Sequence, residues 1–353
     1  MLTALSIAGC QKKISTDDPG PLTFQVDLVA GEIGSAKDPI PFTHESFTLV
    51  FDVSAIDDKG EIATWFNDQV RVRVNPRGNT VEGQQAWFQV NNGVATNVEV
   101  ALKDVHGTAT VWFEHAASDE QVGHYATGLS PVITAVNPTI RNIQEVEVGK
   151  HQTSALRLDF VEVDLVGRTG IVTGVTNDGF YMTDLSEAGY EYSSMYVYNH
   201  SRPEVEMGDR LVQLNGTVDE FYGFTELGFP SWKLEGTAPM PDPIMLADDM
   251  VDLDDEMEKY ESALVEIQNV TVCPMGEAFA TYGQWVVSLA PGGSGCSSGH
   301  GLVNIVSAYT IIDLDPADIV GEVLPRITGN LRYHGSAAPN WIIYTRGPQD
   351  IDF

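Results

Sequence analysis

The amino-acid sequence predicts an all-β protein in which a β-sandwich is followed by two small β-barrels. Short runs of alternating apolar and polar residues follow one another along most of the chain, and a period of two is typical of strands with one buried face. Clusters of glycine, proline, asparagine and aspartate separate these runs as turns. One strand with its flanking glycines also recurs later in the chain, which indicates an internal duplication.

Composition limits the partners of this chain. Its 353 residues include 50 acidic and 19 basic ones, a formal net charge of −31, and 43% are apolar. The length allows two or three domains with packed cores. Phosphate contacts need clustered lysine and arginine, so the charge argues against a nucleic-acid partner. An acidic surface attracts cations, although acidity that only maintains solubility is an open alternative.

The first residues, MLTALSIAGCQKK, place Ala8 and Gly9 directly before Cys10, after a short apolar run and ahead of a polar segment. This pattern resembles a bacterial lipoprotein signal. The resemblance implies that residues 1–10 form the signal and that the Cys10 thiol is lipidated. Residues 11–21 are polar and end in Pro-Gly-Pro, which predicts a tether. We therefore expect a lipoprotein of the outer membrane in the cell envelope, facing the surface or the periplasm.

This signal lacks a basic start and its apolar core is short. A start codon upstream of Met1 is therefore left open, and a free apolar terminus with an unmodified cysteine is the alternative.

The two other cysteines, Cys273 and Cys296, are expected to form a disulfide if the protein is exported to an oxidising compartment. A metal site built on the same pair is the alternative, but a single histidine, His300, lies nearby in the sequence.

The sandwich is predicted over residues 22–130 and a linker over 131–156. Val70, Val72 and Val74 alternate with Arg71 and Arg73, so the valines face the core and the arginines face water. Further strand patterns are FTLVFDV, QAWFQV, TNVEVALKDV and TATVWFEHA. This rhythm resembles the immunoglobulin-like modules of bacterial surface proteins.

The duplication concerns two strands, each bracketed by a pair of glycines eight residues apart. Gly208 and Gly216 bracket the first, and Gly321 and Gly329 the second. About five strands surround each pair, which favours a Greek-key barrel of the OB type. We assign OB-like barrels to residues 157–246 and 260–353, joined by an acidic linker over 247–259.

The segments GIVTGV, NDGFYMTD, VEMGDRLVQLNGTV and YESALV lie between Gly167 and Val272. They resemble the OB-fold module that accompanies extracellular bacterial nucleases of the endonuclease/exonuclease/phosphatase type. The catalytic domain of those nucleases, with its paired histidines and metal-binding glutamate, has no counterpart in this sequence. The resemblance therefore implies a binding or spacer module and no enzyme activity.

One motif in the sequence matches the nucleophile motif of hydrolases, so a catalytic role has to be considered for it. The segment GCSSG at 295–299 fits the pattern Gly-x-Ser-x-Gly, with Ser297 at its centre and Asp313 and His334 downstream in the order of a hydrolase triad. A nucleophile elbow needs a strand that leads into a helix, whereas this segment is a glycine- and serine-rich loop. We interpret it as a loop tip held by the disulfide.

Two candidate binding features remain. Eight carboxylates fall within residues 247–261, where Asp252, Asp254 and Asp255 are candidate calcium ligands, although a solvated linker needs no ion. No other cofactor is expected.

The aromatic residues predicted to contact a ligand at the rim of the first barrel are Tyr190, Tyr192, Tyr198, Tyr222 and Trp232.

These observations predict a non-enzymatic, lipid-anchored envelope protein that acts as a binding, adhesion or scaffold module. Its expected partners are the membrane, through the lipid, and a polysaccharide or a protein. The alternative is an accessory subunit that binds nucleic acid for an extracellular nuclease.

Overall fold

A computed structural model of the protein describes residues 23–81, 86–115, 126–146, 153–335 and 340–353. The fold is all-β, with 48% strand and 10% helix, which confirms the predicted fold class. The chain divides into two compact units, one that ends at Ala135 and one that begins at Val136. The predicted signal, the tether and Cys10 lie outside the described residues.

The first unit is a sandwich of two antiparallel sheets. One sheet has the strand order β1-β2-β6-β4, and the other has the order β5-β3-β7-β8 with β9 paired to β7. Its strands are β1 (Thr23–Ala30), β2 (Phe47–Ile56), β3 (Gln69–Asn75), β4 (Asn79–Thr80), β5 (Ala86–Gln89), β6 (Val94–Lys103), β7 (Thr108–His115), β8 (Thr127–Leu129) and β9 (Ile133–Thr134).

Alternation along the strands builds the core of the sandwich. Phe51 of β2 and Phe113 of β7 are fully buried, and their rings meet edge to face with centroids 5.3 Å apart. The arginines of β3 are less exposed than the alternation alone suggests. Arg71 donates to the buried Glu114 at 2.6 Å, and Arg73 contacts the same carboxylate.

The second unit begins with helix α1 (Ile140–Gln144), within the segment predicted to be a linker. Thr139 and Asn142 cap this helix reciprocally. The first barrel follows, with the closed order β14-β11-β12-β13-β15-β14 and β10 on the edge of β14. Its strands are β10 (Phe160–Glu162), β11 (Gly170–Val175), β12 (Gly179–Asp184), β13 (Ser194–Tyr198), β14 (Asp209–Phe221) and β15 (Phe224–Thr237).

The second barrel repeats this topology in the order β17-β18-β19-β21-β20-β17. Its strands are β16 (Ile244–Met245), β17 (Leu264–Val272), β18 (Gln284–Ser288), β19 (Leu302–Val306), β20 (Val323–Tyr333), β21 (Trp341–Tyr344) and β22 (Ile351–Asp352). Its helices are α2 (Asp254–Glu258), α3 (Glu277–Tyr282) and α4 (Gly295–Ser298). Short 3-10 helices span Ala188–Tyr190, Pro291–Gly293, Pro316–Ile319 and Pro348–Asp350.

The glycine pairs occupy equivalent places in the two barrels. Gly208 precedes β14 with φ 91°, and Gly321 precedes β20 with φ 85°, a conformation that glycine adopts without steric cost. Their partners, Gly216 and Gly329, lie inside the same two strands. The repeated sequence pattern therefore corresponds to a repeated structure.

The two barrels pack against each other within the second unit. Tyr181, Tyr196 and Phe224 of the first barrel belong to the same hydrophobic core as Trp285 and Ile327 of the second. The joining segment, predicted as a solvated acidic linker, contributes to this core as well. Leu246, just before the segment, and Val251 and Met257 within it are buried there, whereas most of its acidic residues keep some exposure and Glu258 is buried.

None of the helices in the described ranges has the length and apolar character needed to cross a membrane.

Cys273 and Cys296 form the predicted disulfide, which closes a loop with a sequence separation of 23. The pair ties the end of β17 to α4, so this loop is held against the second barrel.

Replacing both cysteines by serine is expected to lower the free energy of unfolding by about 3 kcal/mol, because the crosslink restricts the unfolded chain. Thermal unfolding followed by circular dichroism, with and without a reductant, measures the effect. The reductant should lower the Tm of the wild type by several degrees and leave the Tm of the double variant unchanged. Equal Tm values for both proteins would contradict this stabilising role.

Candidate binding cleft

A cleft of about 570 Å³ opens where the two barrels meet, a size within the range of small-molecule sites. The first barrel supplies the end of β11, the following turn and Arg202, and the second supplies β20, β21 and Tyr309. The lining residues are Gly174, Val175, Thr176, Asn177, Asp178, Tyr181, Arg202, Tyr309, Thr310, Asn330, Arg332, Tyr344, Thr345 and Arg346.

Asn330 of β20 lies at the floor of the cleft and is fully buried. Its Nδ2 donates to Thr173 Oγ1 at 3.1 Å and to the Ser262 carbonyl at 3.3 Å. Its Oδ1 has no hydrogen-bond partner within the described ranges. A Cβ atom on Gly174 would lie 2.2 Å from that oxygen, so a side chain at this position would displace the Asn330 amide.

Tyr181 of β12 supplies a second buried polar atom without a partner. Its ring packs on Tyr196 with centroids 4.7 Å apart, and its hydroxyl makes no hydrogen bond of normal geometry with any residue that the structure describes. Burial raises the pKa of Tyr181 far above its usual value, although the charge of the nearby Arg332 guanidinium and its hydrogen-bonding approach to the hydroxyl oxygen oppose the shift. The hydroxyl therefore stays protonated and is available as a donor. Unsatisfied buried polar atoms cost about 1–3 kcal/mol each and often mark functional positions.

Arg332 of β20 is held by aromatic rings instead of a carboxylate. Its guanidinium carbon lies 4.7 Å from the ring centroid of Phe224, 5.5 Å from that of Tyr196 and 5.7 Å from that of Tyr344. Burial by itself would lower the pKa of Arg332. The surrounding tyrosines and Glu226 raise this pKa by a larger amount, so the net pKa lies above the usual value. The side chain is charged, and within the described ranges it has no ion-pair partner.

The other charges of the cleft are unequally compensated. Arg346 donates two hydrogen bonds to the Asp350 carboxylate in bidentate geometry, at 3.0 and 2.6 Å. It also donates to the Thr173 carbonyl at 3.3 Å. Asp178 accepts from Tyr196 at 2.7 Å. Arg202 is exposed and has no ion pair in the part of the chain that the structure describes. Asp350 thus balances Arg346, whereas Arg202 and Arg332 are the guanidiniums of the cleft that lack an ion pair within the described ranges, and Glu226 acts on Arg332 only through its electric field.

Four glutamates close to the contact between the barrels are largely shielded from water, namely Glu220, Glu226, Glu258 and Glu261, and burial raises the pKa of Glu226 to about 7. Glu220 Oε1 accepts from the Ser154 backbone at 2.7 Å, and Glu261 Oε2 accepts from the Thr225 backbone at 2.9 Å. Burial raises the pKa of Glu220 to about 7. Burial, reinforced by the neighbouring carboxylates, also holds the pKa values of Glu258 and Glu261 well above their ordinary range.

The aromatic residues predicted to contact a ligand do not line the cleft. Tyr190 lies in a short 3-10 helix, and the Tyr192 ring lies 6.0 Å from the Arg141 guanidinium. Tyr198 contacts His200, with ring centroids 4.4 Å apart, and Tyr222 stacks on His334 at 4.8 Å. Trp232 packs on Phe180 at 5.3 Å.

The tyrosines of the cleft, Tyr181, Tyr309 and Tyr344, were missed by the sequence-based prediction. Tyr181 and Tyr344 are strand residues in alternating patterns, which gave no sign that their outward faces meet the other barrel. Arg202 is one of the few cations in the sequence of the first barrel, so its charge is the one feature of the cleft that the sequence displays by itself.

The predicted calcium ligands are used in other contacts. Asp252 accepts from the Gly301 backbone at 2.9 Å, and Asp254 accepts from the Trp341 indole at 2.8 Å. Asp255 lies exposed on α2. Among the described residues, no group of three or more histidine, cysteine, aspartate or glutamate side chains is arranged to hold a metal ion. Calcium binding stays an untested prediction and does not enter the proposed function.

Ser297 lies in α4, in the disulfide-bridged segment between β18 and β19, and its hydroxyl donates to the Ser294 carbonyl at 3.0 Å. His334 is engaged by Tyr222, and Asp313 lies in the segment between β19 and β20. No hydrogen bond joins these three side chains in the described part of the structure.

No protein-family model, curated protein or solved structure matches the chain.

The buried glutamates make stability depend on pH. Because their pKa values are raised in the folded state, folding binds protons that the unfolded chain releases above about pH 4.5. The free energy of unfolding is therefore expected to fall as the pH rises from about 5 to 8. Urea unfolding at a series of pH values measures this slope.

The matched variants are Glu258→Gln and Glu235→Gln, the second at an exposed position of β15. Glu258→Gln should flatten the slope and raise stability at about pH 8, because a neutral amide avoids the buried charge. Glu235→Gln should leave the slope nearly unchanged. A slope unaffected by Glu258→Gln would contradict this role for Glu258 and leave the pH dependence to the other buried glutamates or to the net charge of the chain.

Proposed function

We propose that this chain is a non-enzymatic, lipid-anchored protein of the cell envelope that binds a saccharide in the cleft between its two OB-like barrels. The observation that carries the proposal is the floor of the cleft, where the Asn330 and Tyr181 side chains keep buried polar atoms without partners. The lipid anchor is supported by the signal-like segment that ends at Cys10.

The chemistry of the lining residues suits a sugar. Sugar rings present hydroxyl groups around an apolar face, so they need hydrogen-bonding groups beside aromatic walls. Asn177, Thr310 and Thr345 supply polar groups, and Tyr309 and Tyr344 supply rings. None of the described lining residues is a serine, cysteine or histidine, and Asp178 is the one carboxylate among them, so the pair of carboxylates that glycoside hydrolysis ordinarily uses is not present in this lining.

The second candidate function is that of an accessory subunit that presents nucleic acid to a separate nuclease. Guanidiniums beside tyrosine rings favour it, since single-stranded nucleic acid is bound by charge and by base stacking. The net charge of −31 opposes it, because a long polyanion is repelled by the rest of the surface.

The test is isothermal titration calorimetry on the chain with Cys10→Ser, which prevents lipidation. The ligands are dextran, xylan, alginate, polygalacturonate and a single-stranded thymidine 20-mer. At least one polysaccharide is expected to bind at physiological salt. Binding of the oligonucleotide alone would favour the accessory role, and no binding to any of them would refute the proposal for this cleft.

Tyr181→Phe is the sharpest variant, because it removes one hydroxyl and no packing. Binding is expected to weaken about fivefold to tenfold, as for the loss of one hydrogen bond. Stability should be equal or higher, because the hydroxyl is unpartnered in the free protein. Tyr222→Phe, outside the cleft, is the matched control and should leave both quantities unchanged. Unaltered binding in Tyr181→Phe would place the ligand elsewhere.

A further inference from the structure

We infer that the saccharide bound in the cleft is acidic and that its carboxylate is received by the Arg332 guanidinium, with Arg202 at the opposite wall. This inference rests on the saccharide-binding role proposed above for the same cleft, and it adds the chemical class of the ligand.

Arg332 carries a charge that the described part of the protein does not pair. Removing a charge from water is costly unless an opposite charge and hydrogen bonds replace the water. The aromatic rings of Phe224, Tyr196 and Tyr344 contact the guanidinium, but they accept no strong hydrogen bonds. Its N–H donors therefore lack an acceptor of matching charge, and a planar carboxylate fits a guanidinium in bidentate geometry.

The neighbouring carboxylates do not fill this role. Glu226 and Glu261 act on Arg332 through their electric field, yet neither forms an ion pair with it among the described contacts. Asp350 is occupied by Arg346, and Asp178 accepts from Tyr196 and from Thr176. The Arg332 guanidinium is therefore available to pair with a negatively charged group of a ligand.

Arg202 adds a second unpaired guanidinium from the other barrel. It belongs to the segment between β13 and β14 of the first barrel, whereas Arg332 belongs to β20 of the second. A ligand that spans the cleft therefore meets positive charge on both walls. Tyr309 and Tyr344 line the same cleft, and their rings offer surfaces for a sugar ring.

The charge of the whole chain favours a compact acidic sugar over a polyphosphate. At physiological salt the field of a charge is screened within about 8 Å, so the cleft attracts a single carboxylate even though the chain is acidic. A long chain of phosphates would extend beyond the cleft over a protein whose sequence has 50 acidic and 19 basic residues. The same net charge therefore argues against nucleic acid and permits a uronic acid.

The experiment uses the chain with Cys10→Ser and calorimetric titration of oligogalacturonate, oligomannuronate and hyaluronan oligosaccharides. Each acidic oligosaccharide is paired with its carboxyl-reduced neutral form. At least one acidic form is expected to bind at least tenfold more tightly than its neutral form, and the difference should shrink when sodium chloride rises from 50 to 300 mM.

The variants separate charge recognition from folding. Arg332→Gln should abolish the preference for the acidic form, and Arg202→Gln, at an exposed and unpaired position, should reduce it about threefold without affecting the fold. Arg332→Lys keeps the charge without the bidentate fork and should restore part of the preference. Arg210→Gln removes a cation of β14 outside the cleft and should retain the full preference.

The possible outcomes decide between this inference and the proposed function. Equal binding of acidic and neutral forms overturns the acidic ligand and leaves the saccharide-binding function intact. Absence of binding to every saccharide overturns both. A preference for acidic forms that survives in both Arg332→Gln and Arg202→Gln also overturns this assignment.

Discussion

The contact between the two barrels is the interaction on which the rest of the second unit depends. Tyr181, Tyr196 and Phe224 of the first barrel are buried in the core of the second. Strand β12 is consequently buried along its whole length, as expected for a strand covered on both faces. Burial of these large aromatic rings stabilises the contact more than any single polar interaction in it, so the apolar contact sets which faces of the two barrels form the walls of the cleft.

The same contact carries polar groups that a purely structural interface would avoid. Asn330 bridges to Thr173 across the barrels, and Arg346 donates to the Thr173 carbonyl, so hydrogen bonds define the orientation that the aromatic residues stabilise. Around them lie an unpaired guanidinium, an unpaired hydroxyl and buried glutamates, each of which lowers stability. Destabilising polar and charged groups of this kind are typically concentrated at the functional sites of proteins.

Much of the fold could be predicted because it depends on local patterns. The alternation of Val70 to Val74 predicted a sandwich strand, and the repeated glycine pairs predicted two related barrels. The disulfide between Cys273 and Cys296 was predicted because these are the two cysteines that remain when Cys10 is assigned to the signal. The candidate site could not be predicted in the same way, since the aromatic residues of the first barrel were interpreted as rim residues of an isolated barrel. In a sequence, a strand tyrosine that faces water cannot be distinguished from one that the other barrel covers. The two cases differ only in the packing of the barrels.

The sequence by itself determined the strands, the two repeated barrels and the acidic balance, because period-two alternation, positive-φ glycines and charge act within a few residues. Only the tertiary structure decided the cleft. Thr173 and Asn330 are 157 residues apart, and Thr173 and Arg346 are 173 residues apart. Their meeting depends on which faces of the two barrels are complementary, and that is a property of packed surfaces for which no local pattern in the chain provides a signal.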